Sequence, residues 1–231
     1  MSLKILAIDT STDACSAALL IDNETSERFE IAPRQHTELI LPMVESLLAE
    51  ADIALKDLDV IAFGRGPGAF TGLRIAAGVT QGLAYGAELK VIPVSSLAAM
   101  AHGAWKKTGC QTIIAANDAR MNEVYWGVYR FSTDHSIYQL CAETVCAPGE
   151  VPIPADTGWI GVGSAWESFQ LVLGHVLSRC LLRWEEGYFP HASDVAILAI
   201  DELKQGNVVS PELALPVYLR DNVAQPNPGK T

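Results

Sequence analysis

The sequence predicts an α/β protein made of two copies of one unit, a duplicated fold of two lobes with mixed sheets. Two observations carry that prediction. Three strands, a helix, a strand and a helix follow one another in the first half, and the second half runs through a similar order. The acids ending the leading strands, Asp9 and Asp118, lie 109 positions apart, and the glycine turns starting at Gly64 and Gly161 lie 97 apart. An internal duplication explains both offsets.

Taken in order, "LKILAIDTS" is a short apolar strand that ends in an acid and hydroxyls. "CSAALLID" and "SERFEIA" follow across polar breaks, giving an antiparallel meander. "HTELILPMVESLLAEA" places Leu39, Ile40, Met43, Val44, Leu47 and Leu48 at helical spacing, with Thr37 as the expected N-cap and Pro42 near the first turn. "LDVIAFG" reads as a buried strand, "GRGPGAFTGLRIAAG" begins as a glycine loop, and "FTGLRIAAGVTQGLAYG" is a second helix in which Thr71 is expected to cap the first turn. The small-residue stretch "LAAMAHGAWKKTGCQ" marks the boundary between a first lobe, 1–105, and a second, 106–231, whose C-terminal segment is free to pack back on the first. Beyond it, "QTIIAANDAR", "EVYWGVYRF" and "YQLCAETVCAP" are three strands, and "TGWIGVGSAWESFQLVLGHVL" gives a strand, a glycine turn and a helix.

Composition narrows the function classes. With 231 residues, 49% of them hydrophobic, and a formal charge of −11, the chain reads as a soluble globular protein with an acidic surface that repels a nucleic-acid backbone. Direct, unaided tRNA or DNA binding is therefore disfavoured. The five cysteines include no C-x-x-C pair and the start has no signal-peptide layout, so a reducing cytoplasm is expected. No apolar run approaches the ~20 residues that span a bilayer. His36, His102, His135, His175 and His191 never fall at i, i+4, so no local metal site is expected.

Two stretches carry possible chemistry. Asp9, Thr10 and Ser11 form an acid-and-hydroxyl turn that can hold a nucleotide phosphate, and the same residue types are ordinary turn formers. Both readings stand. The glycine loop is no P-loop, because Gly-Lys-Ser/Thr does not follow at the required spacing. After it, Gly78, Gly82 and Gly86 recur at every fourth residue of a predicted helix, each less favourable there than alanine by about 1 kcal/mol. Close approach of another backbone offsets that loss, either from a partner or from the protein's own sheet.

"ILAIDTSTDACSAAL", "GRGPGAFTGLRIAAG", "DARMNEVYWGVY" and "PVYLR" together resemble the TsaB (YeaZ) family of tRNA threonylcarbamoyladenosine biosynthesis proteins over nearly the whole chain. The resemblance implies an actin/Hsp70/sugar-kinase-like (ASKHA, RNase H-like) fold. It implies a heterodimer with the catalytic subunit TsaD, a role alongside the ATPase TsaE, and contact with tRNA only through that complex. TsaD-like proteins carry a metal-binding His-x-x-x-His where this sequence offers Ser95, Ser96, Ala99 and Met100, with only His102 nearby. The implied role is an inactive paralogue with no catalytic or metal residues and no tightly bound cofactor, ATP or ADP entering only in the complex.

The expected partner surface, used for a homodimer in isolation and for TsaD, comprises Leu39, Met43, Leu47, Arg74, Gly78, Gly82 and Tyr85. The alternative is an actin-fold ATPase or small-molecule kinase using Asp9, Thr10 and Ser11 at the phosphates and Asp118 as base or magnesium anchor. A two-metal nuclease is disfavoured, because Glu38 and Glu45 show no clear pairing with Asp9.

Overall fold

The computed structural model describes residues 2–133 and 136–220. His135, among the histidines considered above, and residues 221–231 of the expected second lobe lie outside these.

The first sheet has the order β3-β2-β1-β4-β5. β1 (Lys4–Asp9), β2 (Ala14–Ile21) and β3 (Glu24–Ile31) form the antiparallel meander, while β4 (Val60–Gly66) and β5 (Lys90–Ser95) run parallel to β1. α1 (His36–Glu50) joins β3 to β4, and α2 (Phe70–Gly86) joins β4 to β5. α3 (Ser96–Thr108) leaves β5, capped by Ser95 Oγ, which accepts from the Ala98 amide, and closed by Gly109 in the left-handed region.

The second sheet repeats this plan in the order β11-β10-β6-β7-β8. β6 (Thr112–Arg120) and β7 (Glu123–Phe131) are an antiparallel hairpin, and β10 (Trp159–Val162) and β11 (Leu181–Glu185) lie parallel to β6 on its other side. α4 (Ser164–Val176) follows β10 as α2 follows β4, and α5 (Ala192–Lys204) follows β11 as α3 follows β5. Asp9 and Asp118 sit at the same end of equivalent strands. The two lobes of mixed sheet are thus copies, with the 3-10 turn Pro148–Glu150 standing where α1 stands in the first.

Alternation along the central strands explains their unbroken apolar runs. Leu6, Ile8, Ile61 and Phe63 face α1 and α2, whereas Ile5, Ala7, Val60 and Ala62 face α5. In the second sheet Ile114 and Ala116 face α4, and Ile113 and Ala115 face α3. A strand covered by helices on both faces has no reason to alternate with polar residues. The coverage is exchanged: α3, from the first half, lies on the second sheet, and α5, from the second half, lies on the first.

Several local expectations are corrected. α1 begins at His36 with Gln35 as N-cap and no side-chain cap bond, so Thr37 is a first-turn residue and not the cap. α2 is preceded by Ala69, again without a side-chain cap, so Thr71 does not cap it. "YQLCAETVCAP" is not one strand but two short ones, β8 (Ile137–Gln139) and β9 (Thr144–Cys146), both paired to β7. Between them the chain turns Glu143 inward, where Tyr129 and Ser95 hydroxyls donate to it. β5, β11 and α5 were not anticipated. No helix among the described residues is long and apolar enough to cross a membrane.

Candidate functional site

The glycine loop and the acid turn are two halves of one packing arrangement. A Cβ added to Gly64 would lie 1.8 Å from Asp9 Oδ2, one on Gly68 2.3 Å from the Ser11 carbonyl oxygen, and one on Gly72 2.0 Å from the Thr10 carbonyl oxygen. Each glycine is therefore required by close approach. Gly66 alone of this loop needs glycine for its backbone, at φ +98°. The Ala69 amide donates to the Ser11 carbonyl at 2.7 Å, and Thr10 Oγ1 donates to the Gly72 carbonyl at 2.7 Å.

Asp9, Thr10 and Ser11 are consequently buried side chains. Asp9 Oδ1 accepts from the Ser11 amide and hydroxyl at 2.8 and 2.7 Å, and Oδ2 accepts from Ser96 Oγ at 2.9 Å. Burial raises the carboxyl above its usual range, against the lowering effect of the Ser11 and Ser96 bonds and of His36. These hydroxyls brace the first lobe from within, donating to Asp9 and Gly72, while Ser11 also borders the inter-lobe cleft, where a phosphate role for the turn is a proposal and not a finding. Ser96, which completes the brace, carried no motif signal.

The turn and the start of α2 form one wall of a cleft of about 540 Å³ between the lobes. The opposite wall comes from Asn117 to Met121, Ser164 and Ser168, and Arg220 closes one side. Asp118 Oδ2 accepts from Ser168 Oγ at 3.1 Å and Oδ1 from the Arg120 amide at 2.7 Å. Among the described residues no group of three or more His, Cys, Asp or Glu is placed to hold a metal ion. His102 does not face this cleft wall; its Nδ1 pairs with Asp194 at 2.8 Å, and Lys106 donates to the same carboxylate oxygen at 3.0 Å. Burial pushes Asp194 up, but the His102 and Lys106 interactions together outweigh it and hold the carboxyl below its ordinary value.

The later glycines behave in the opposite way. Nothing lies within 4 Å of a Cβ added to Gly78, Gly82 or Gly86. With Arg74 and Tyr85 they form an exposed face of α2, and Tyr85 is 79% exposed. Leu39 and Met43 of α1 are half-buried against the core, and Leu47 is fully buried in it. Leu47 is thereby corrected from surface to core residue: the helical stripe that suggested an interface is the inward one at that position. The α2 face is extended by Phe70 and Tyr218, whose rings lie 5.4 Å apart, with the Arg74 guanidinium 3.6 Å from the Phe70 centroid. Motif reading named neither aromatic.

The fold and this arrangement define a duplicated two-lobed α/β protein with a braced cleft and an open small-residue helix face. The family model described as "TsaD: tRNA N6-adenosine threonylcarbamoyltransferase" matches residues 28–227. The tRNA threonylcarbamoyladenosine biosynthesis protein TsaB of Escherichia coli (strain K12) is 44% identical over 99% of this chain and 100% of its own length. The TsaB of Haemophilus influenzae is 39% identical over 96% and 95%. The solved structure of YeaZ from Pseudomonas aeruginosa, 43% identical, superposes with a TM-score of 0.87 over 94% of this chain and all of that one. The chain belongs to the TsaB family, within the wider family that the TsaD model describes.

Proposed function

We propose that this chain is a non-catalytic scaffold subunit of tRNA threonylcarbamoyladenosine biosynthesis. It binds the catalytic subunit TsaD, acts alongside the ATPase TsaE, and is required for threonylcarbamoyl transfer to the adenosine beside the anticodon. Alone it forms a homodimer through the same face, so dimer and heterodimer compete. tRNA is reached only through the complex, since a chain of net charge −11 opposes the phosphates. It works in the cytoplasm, and ATP or ADP is held only in the assembled complex.

The observation that carries this reading is the open face of α2, where Gly78 and Gly82 have no neighbour of their own while the glycines one turn earlier are filled by the Asp9 turn. Small residues with nothing over them suit the close approach of a partner helix, and a symmetric interface needs such a patch on both copies. The inactive role is supported by the two acids at the ends of the equivalent strands β1 and β6. Asp9 is taken up by three internal donors, and its counterpart Asp118 is followed by Ala119 and Arg120 instead of hydroxyls.

The test is reconstitution of tRNA modification from purified TsaD, TsaE and the remaining components, with and without this chain, alongside co-purification with TsaD. Modification should require the chain. Full modification in its absence, or robust ATP turnover by the isolated chain that Asp9→Ala abolishes, would overturn the scaffold reading in favour of an actin-fold ATPase or kinase.

A further inference from the structure

We propose that the segment from Ala214 to Arg220 is a strap that couples the outer face of α2 to the rim of the inter-lobe cleft, with Tyr218 as its anchor and Arg220 as its latch. Its biological use rests on the reading of that face as the partner surface; the coupling itself does not.

The path of the segment is fixed at both ends. On the α2 side, Gln81 Nε2 donates to the Ala214 carbonyl at 3.2 Å, and the Val217 amide donates to the Arg65 carbonyl at 2.8 Å. Arg74 Nε then donates to Tyr218 OH at 3.1 Å, and the Tyr218 ring rests beside Phe70. Two residues later the side chain of Arg220 reaches the other lobe. Arg220 Nη2 donates to the carbonyls of Ala119 and Arg120 at 3.1 and 3.4 Å, while Nε donates to Glu123 Oε2 at 3.1 Å.

Those contacts clasp the turn of the β6-β7 hairpin. Arg120, Met121 and Asn122 are three successive non-glycine residues in the left-handed region, with φ of 62°, 55° and 59°. Positive φ at Met121 and Asn122 is the ordinary geometry of a two-residue hairpin turn, so the β6-β7 pairing sets the turn and Arg220 adds a clasp to it. One guanidinium grips the turn from both sides, through carbonyls before it and a carboxylate after it. Arg220, Arg120 and Met121 also line the cleft, so the latch and the turn together form its rim.

Transmission follows from the length of chain. Two residues span at most about 7 Å when fully extended, so a Tyr218 backbone displaced beyond that reach draws Arg220 with it. An occupant of the α2 face competes for Arg74 and Phe70, the groups that seat Tyr218. Occupation of that face therefore slackens the strap, withdraws Arg220 and loosens the turn at the cleft rim.

Hydrogen exchange of the isolated full chain tests this, comparing a peptide covering residues 118–124 with core peptides from β1 and β4. Arg220→Ala should speed exchange of the turn by about tenfold or more, as expected when charged hydrogen bonds restraining local opening are removed. Tyr218→Ala should act in the same direction by severalfold, and the double variant should be no faster than Arg220→Ala alone, since both act through one element. Unchanged turn exchange in Tyr218→Ala, multiplicative effects in the double variant, or equal acceleration of the core peptides would each overturn the strap. Partner binding by Gly82→Leu is measured separately: if it is unaffected while the exchange pattern holds, the partner-face reading fails and the strap stands.

Discussion

The same substitution, glycine to alanine, is expected to have opposite signs at two places in one short stretch. At Gly78 and Gly82 the added methyl meets nothing within 4 Å, so the helix gains alanine propensity without a clash. Each change should stabilise the monomer by about 1 kcal/mol, raising Tm by about 2–4 °C for a chain of this size. At Gly72 the methyl would lie 2.0 Å from the Thr10 carbonyl oxygen, a backbone atom held by the sheet, and relief would break the Thr10 Oγ1 bond to the Gly72 carbonyl. Overpacking plus that lost bond amounts to about 3 kcal/mol, or a Tm lowered by about 6–12 °C. Denaturant unfolding followed by circular dichroism, at concentrations where no association is detected, reads both effects. Destabilisation by Gly82→Ala, or neutrality of Gly72→Ala, would show that the two glycine runs have been assigned to the wrong sides of the helix.

Gly82→Leu or Gly78→Val should weaken homodimer and TsaD association by about 1–3 kcal/mol by analogy with overpacked cores, measured by sedimentation and calorimetry, without destabilising the monomer. His191 carries a pH dependence. Burial pulls its imidazole down, but the Glu27 bond and the charges of Glu27 and Asp194 outweigh this and Lys106, so its folded pKa lies above the usual value. The stability it contributes is complete below its unfolded pKa and is lost as pH rises through the folded one, so unfolding free energy should fall as pH rises above the ordinary imidazole range of about 6.5. Glu27→Gln should flatten that slope in denaturant titrations. The isolated chain should bind tRNA weakly and only at low salt, and tight binding retained at physiological salt in a filter assay would contradict the charge argument.

Much of the fold is legible because the central strands carry doubly buried apolar runs and the two acid turns repeat. β5 was hidden by Pro93, which reads as a break but is tolerated because β5 is an edge strand of its sheet. α5 had a readable pattern in Val195, Ala196, Leu198 and Ala199, which face the first sheet. The candidate site was less legible. Glycines at 64, 68 and 72 and those at 78, 82 and 86 share a four-residue rhythm, yet the first set is filled from the Asp9 turn and the second is open. A residue with no side chain cannot announce which way it faces. Leu47 failed for the related reason that an apolar helical stripe looks the same whether its partner is the core or another chain.

The exchange of α3 and α5 bears on what the cleft is able to do. Each helix belongs by sequence to one lobe and by packing to the other, so rotation of one sheet against the other would drag helix cores on both sides. The two helices are further tied to each other, because Asp194 of α5 accepts from His102 and Lys106 of α3 and its carboxylate is almost wholly buried. Separating a buried charge from its partner costs about 3–5 kcal/mol, a large fraction of the stability of a typical domain. Any large rotation of the lobes would have to break that fastening, which favours the scaffold reading proposed above over the ATPase alternative. What remains adjustable lies outside that fastening, at the strap and the left-handed turn it grips. The open α2 face and the strapped rim both lie outside the core that α3 and α5 tie together, so a partner of the kind proposed above would reach them without separating the lobes.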